Sequence, residues 1–310
     1  MKSDVTERLT TSKLLKTPSL WPTWLWISVL RALVRLPYSA QMRIGSFFGW
    51  LLYHLARDRR HVTKVNIRLC FPELSEKERQ NRVRAVFHHN GIGIMEAAMA
   101  WWAPEDWFRN KVVFKGREHL DQALSQGKGV ILMGAHFSTL DLGGLLFRFY
   151  YPVDAMYRKN NNPLLEQVIT EGRKRFFDQA IERSDIRSVI RNLRKNHIIW
   201  YAPDQDFGLH QSVMAPFFGV PAATITATSR MVNLNHSPIL MLAQHRLAYG
   251  QYELELFPVI ENFPTGDDIQ DATRINAELE KAIRKDPEQY MWVHRRFKSH
   301  PKGKSYLYEK

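Results

Sequence analysis

The chain is short of cysteine, of uninterrupted apolar sequence at its N-terminus, and of acid. Cys70 is the single cysteine, so no intramolecular disulfide forms and nothing calls for an oxidising compartment. The uncharged window between Lys16 and Arg31 holds 14 residues, below the roughly 20 that a membrane-spanning helix needs. No small-residue cleavage site follows a short apolar region, which argues against a secretory signal. Internal repeats and low-complexity linkers are absent as well. Acid is outnumbered, with 31 Asp+Glu against 44 Lys+Arg and a formal charge of +13. Such a balance attracts polyanions: nucleic acid, anionic lipid headgroups, phosphorylated glycolipids or an acidic protein.

What is present is enough apolar material for a sizeable core, with 45% hydrophobic and 12% aromatic residues over 310 positions. That composition excludes global disorder and fits one large domain or two small ones. The N-terminal stretch LWPTWLWISVLRALVRLPY (20–38) sets Trp21, Trp24 and Trp26 in an apolar run interrupted by Arg31 and Arg35. A second run, IGSFFGWLLYHLA (44–56), is bracketed by Arg43 and Arg57. Tryptophan-rich helices with snorkelling arginines have the character of an interfacial anchor that lies in the membrane surface; a pair of ordinary core helices is the plainer alternative. We therefore divide the chain into a membrane-anchoring helical segment, 1–57, and a single catalytic domain, 58–310.

Within that domain, residues 72–102 read as one long helix started by the capping box Ser75-x-x-Glu78. Beyond it KVVFKG, GVILMG, VDAMY, HIIWYA, PILMLAQ and YELELFPVI read as strands. Helical patterns near 117–126, 138–149, 163–177, 185–196 and 223–235 separate most of them. Alternation of this kind predicts an α/β fold, with a mostly parallel central sheet flanked by helices on both faces. Ligands of such sheets bind at the carboxyl ends of strands.

One strand end carries candidate chemistry. In GVILMGAHFSTLDLGG (129–144) a buried strand runs into His136, with Asp141 one helical turn beyond. Ser138 and Asp141 alone suit a helix cap. A histidine with a carboxylate that fixes its tautomer instead suits general-base catalysis on a hydroxyl. No G-x-S-x-G elbow supplies a nucleophile, so the substrate would bring its own hydroxyl. At a second strand end Arg158, Lys159 and Asn160 form a cluster suited to a phosphate or carboxylate, or else a solvated basic loop. At a third, Asp204-Gln205-Asp206 matches the metal-nucleotide motif of many glycosyltransferases. No further ligand is spaced to complete a metal shell, so a bracing or substrate-orienting role is favoured over a metal site.

Taken together, HFSTLD, YRKNNNP, WYAPDQDFG, SVMAPFFGVPAAT and PEQYMWVHRRFK resemble the late acyltransferases of lipid A biosynthesis, the lauroyl, palmitoleoyl and myristoyl transferases with an H-x4-[D/E] motif. The resemblance spans about residues 20–300. It implies a glycerolipid-acyltransferase type of fold, with His136 and Asp141 catalytic. It also implies an acyl carrier protein thioester as donor, with no other cofactor, and a Kdo-bearing lipid A precursor as acceptor, at the cytoplasmic face of the bacterial inner membrane. Arg158, Asn160, Asp204 and Asp206 are then candidates for substrate binding, with no metal. The basic tail HRRFKSHPKGK (294–304) suits the acidic carrier or the glycolipid head. Nucleic acid is not expected as a partner, since no RNA-binding module accompanies the charge. The rival reading is a metal-dependent membrane glycosyltransferase using Asp204 and Asp206.

Overall fold

The computed structural model describes residues 17–309, so the first residues of the anchoring segment lie outside it. Helices α1 (Trp21–Leu33), α2 (Tyr38–Leu55), α3 (Arg57–Cys70) and α4 (Glu76–Trp102) come first. The expected capping box starts α4: the Ser75 amide donates to Glu78 Oε2 at 2.7 Å and the Glu78 amide to Ser75 Oγ at 3.3 Å. Helix α2 crosses α4 where Gly45, Gly49 and Gly91 meet. A Cβ on Gly91 would stand 2.2 Å from the Gly49 nitrogen, so only glycine permits this approach. Helix α2 of the segment expected to anchor the chain is thus packed on α4 of the domain it precedes.

The main sheet has seven strands in the order β1-β9-β8-β2-β5-β3-β4. In chain order these are β1 (Val112–Lys115), β2 (Val130–Met133), β3 (Asp154–Tyr157), β4 (Ala180–Glu182) and β5 (Ile198–Tyr201). A separate antiparallel hairpin, β6 (Ser212–Phe217) and β7 (Val220–Ile225), precedes β8 (Ile239–Arg246) and β9 (Tyr252–Leu256). Every pairing in the main sheet is parallel except β8 with β9. The expected α/β architecture with a mostly parallel sheet is what forms.

The connections supply α5 (Arg117–Leu124), α6 (Leu140–Arg148), α7 (Pro163–Arg173), α8 (Ile186–Leu193), α9 (Ala227–Asn235) and α10 (Asp268–Lys285). Strand β2 shows how they cover both faces. Ile131 and Met133 pack into a core with residues of α3, α8 and α10, whereas Val130 and Leu132 pack with residues of α5 and α6. Two readings need correction. The helix expected over 223–235 starts at Ala227, because the residues before it pair as β7. Ser138 and Asp141 form no helix cap, since α6 begins after Thr139 and the Ser138 hydroxyl is buried without a partner.

Candidate functional site

Strands β2 and β5 are neighbours, with Met133 level with Tyr201. His136 stands three residues past the first and Asp204 three past the second, so the register delivers both side chains to the same level beyond the sheet. Gly134 lets the chain pass close against the Trp200 ring: a Cβ would lie 2.4 Å from Nε1. His136 Nδ1 then lies 2.7 Å from Asp204 Oδ1, and the His136 amide donates to Asp204 Oδ2 at 3.0 Å.

This overturns the expected partnership of His136 with Asp141. The carboxylate on the imidazole is that of Asp204, and Asp141 accepts from Arg173 Nε at 2.8 Å, joining the first turn of α6 to the last turn of α7. The cause lies in the sheet, whose strand order puts a neighbouring loop closer to Nδ1 than the helix that follows.

The Asp204 side chain is fully buried. Burial alone would raise its carboxyl; the His136 ring and the two N–H groups of that residue outweigh burial and hold it below the ordinary range. Because a carboxylate only accepts, Nδ1 must carry the proton, leaving Nε2 as a lone-pair acceptor. The His136 side chain is 25% exposed, so the ring is reachable from outside the fold.

A third segment closes the site. The Ser138 amide donates to the Gln289 carbonyl at 2.7 Å, and the Met291 amide donates to the His136 carbonyl at 2.9 Å. Tyr290 packs on Phe137, and the His294 ring stands 6.5 Å from that of His136. Burial, then the adjacent His136, lowers the basicity of His294. Neither Tyr290 nor His294 stood out by residue type and spacing. Their signal was their membership of PEQYMWVHRRFK, which comes together here with HFSTLD and WYAPDQDFG.

The remaining candidates separate. Asp206 is 1% exposed at its side chain and accepts from the Ser299 amide, the Ser299 hydroxyl and the Gly208 amide at 2.6, 2.9 and 2.8 Å. It braces the C-terminal segment and is closed to substrate. With Asp204 committed to His136, the two carboxylates serve different partners and form no metal pair, which removes the basis of the glycosyltransferase reading. No group of three or more His, Cys, Asp or Glu among the described residues is placed to hold a metal ion.

Asn160 folds its own loop, its side-chain oxygen accepting from the Asn162 amide at 2.9 Å. Arg158 is exposed and makes no hydrogen bond or ion pair among the described residues. It stands at the carboxyl end of β3, on the far side of β5 from β2. Beside the pair of Asp141 and Arg173 opens a narrow cavity of about 40 Å³. Its walls are apolar, with Leu132, Phe147, Val153, Ala155, Trp200 and Leu242 among them.

Residues 9–299 match the bacterial lipid A biosynthesis acyltransferase family. The chain is 38% identical to the lipid A biosynthesis lauroyltransferase of Escherichia coli (strain K12), over 92% of this chain and 94% of that protein. It is 37% identical to the palmitoleoyltransferase of the same strain, over 94% and 95% of the two chains. Its identity to the myristoyltransferase of that strain is 26%, over 96% and 93%. A solved acyltransferase of 1-acyl-sn-glycerophosphate from Thermotoga maritima is 13% identical with a TM-score of 0.38, covering 84% of this chain and 96% of that one, a likeness too slight to bear on either fold or function. The extent and identity of the sequence matches place this chain in the bacterial lipid A biosynthesis acyltransferase family.

Proposed function

We propose that the chain is a late acyltransferase of lipid A biosynthesis, moving a fatty acyl group from an acyl carrier protein thioester to a hydroxyl on a hydroxyacyl chain of a Kdo-bearing precursor. The observation that carries the reading is the His136–Asp204 pair at a strand end, which in the neutral ring puts the proton on Nδ1 and leaves Nε2 as the acceptor. Nε2 takes the hydroxyl proton as the oxygen attacks the thioester carbonyl. The C–O bond forms, the C–S bond breaks, and the proton passes from the imidazolium to the departing thiolate. Asp204 holds the ring in the required tautomer and balances its charge. No cofactor beyond the carrier's phosphopantetheine is needed.

We assign the apolar cavity to an alkyl chain, since its lining is mostly apolar and offers dispersion contact, with Asp141, Tyr157, Thr170, Arg173 and Gln244 as its polar members. Arg158 is assigned to an anionic group of the acceptor. The fold type would be that of the glycerolipid acyltransferases, with residues 58–310 as catalytic domain and 1–57 as its membrane-facing segment. Among the described residues no helix is long and apolar enough to cross a membrane. Helices α1 and α2 expose Trp21, Leu25, Trp26, Phe47, Trp50 and Leu55, which supports their lying in the interface, at the cytoplasmic face of the inner membrane.

The test is acyl transfer by the purified protein from acyl carrier protein to the precursor, followed by mass spectrometry of the lipid. His136→Ala is expected to lose at least about 100-fold, the range of general-base catalysis. Retention of more than about a tenth of the rate would remove His136 from that role.

A further inference from the structure

A second open cleft lies away from the site, between the end of α1, the end of α4 and the segment after α7. It holds about 1020 Å³ of empty space, its mouth included, and is lined by Arg31, Arg35, Arg175, Trp101, Trp102 and Trp107 among others. The Arg31 and Arg35 side chains are exposed and make no hydrogen bond or ion pair among the described residues. Arg175 is pinned, donating to the Ala103 and Ala100 carbonyls at 2.7 and 3.2 Å and pairing with Glu105 at 3.7 Å. Trp101 Nε1 is buried there without a partner. The adjoining hollow adds Lys111 beside Arg35 and Trp107.

We infer that this cleft binds the phosphate headgroup of an anionic phospholipid drawn from the bilayer in which the enzyme sits. The inference rests on the interfacial reading of α1 given above. With Trp21, Leu25, Trp26 and Val29 exposed along α1, burying that face sets the helix at headgroup depth and brings Arg31 and Arg35 level with lipid phosphates. Guanidinium forks match phosphate oxygens, and indole rings favour the same depth.

The competing phosphate is that of the glycolipid acceptor, and α7 argues against it. One face of α7, with Leu164, Val168 and Gly172, packs on Ile27, Trp24 and Trp101. Ile169, Thr170 and Arg173 line the apolar cavity instead. The helix therefore stands between the cleft and the cavity. A lipid held in the cleft holds the enzyme on the surface without entering the reaction.

The experiment is co-sedimentation of the full chain with vesicles of phosphatidylcholine alone and of phosphatidylcholine with phosphatidylglycerol, for wild type, Arg31→Gln/Arg35→Gln and Lys302→Gln/Lys304→Gln. Wild type is expected to prefer the anionic vesicles. The Arg31/Arg35 variant should lose roughly 10- to 30-fold on them, at about the strength of two basic residues near a charged surface, and keep its binding to phosphatidylcholine. The Lys302/Lys304 variant should retain the preference, and an equal loss there would mean net charge and not this cleft. Acyl transfer to a detergent-dispersed acceptor should show an unchanged acceptor KM in the Arg31/Arg35 variant. A raised KM would give the cleft to the acceptor and overturn the inference. Failure of wild type to bind either vesicle would instead strike the interfacial reading, while binding to both without preference would leave that reading intact and sink the headgroup site.

Discussion

At the scale of single residues, the proposed chemistry depends on which acid faces Nδ1 of His136. Asp204 presents two acceptor oxygens to two donors of one residue, the ring and the amide. An asparagine offers one oxygen, so Asp204→Asn strips one buried donor of its acceptor and removes the charge that stabilises the imidazolium. We expect kcat to fall ~100-fold or more. Asp141→Asn should cost clearly less, because Asp141 touches Arg173 and not the imidazole. Equal losses in the two variants would refute this division. Arg158→Lys should raise the acceptor KM with kcat nearly kept, as expected for an anion bound alike in ground and transition states. A fall in kcat at saturating acceptor would make Arg158 an oxyanion donor. His136 was legible in the sequence because a histidine ending an apolar run is uncommon there. Its partner was not, because Asp204 lies 68 positions away and reaches it only through strand order and register.

At the scale of elements, the alternation of apolar strands and helices gave the parallel sheet away, and Ser75 with Glu78 marked the start of α4. The hairpin β6–β7 was hidden by its small and proline residues, which dilute any period of two, and Pro216 stands opposite Pro221 in it. Helix contact at glycine was equally hidden, since a glycine in a helix reads only as a weak position. The structure makes it a strong constraint: Gly91→Val would drive side-chain atoms into the backbone of α2. We expect roughly 1–3 kcal/mol of destabilisation from this overpacking, read as a lowered thermal midpoint. The surface substitution Arg84→Gln, on the same helix at an exposed position, should leave the midpoint in place. A Gly91→Val protein as stable as wild type would mean that α2 does not press on α4 as described.

At the scale of the molecule, the half-buried His89 and the buried His245 tie stability to pH. His89 accepts a hydrogen bond from Arg246 at 2.8 Å, and burial followed by that guanidinium lowers it to about 3. His245 lies against Phe137 with both ring nitrogens unpartnered, and burial, opposed by Glu253 and assisted by Lys285, lowers it to about 4. In the unfolded chain each titrates near pH 6.5. Between about pH 6.5 and the folded values the unfolded state binds protons that the native state refuses, so stability falls as pH falls. The slope approaches about 1.4 kcal/mol per pH unit for each histidine. Glu280 and Asp286, whose carboxyls burial raises, act in the opposite sense at lower pH, so the comparison belongs between about pH 5 and 6.5. His245→Leu keeps an apolar side chain against Phe137 and removes one such titration. Denaturant unfolding across that window should show a slope lower by about 1 kcal/mol per pH unit in the variant than in wild type. Equal slopes would show that His245 takes up its proton in the folded protein as readily as in the unfolded chain, through a path for water to the ring that its burial denies.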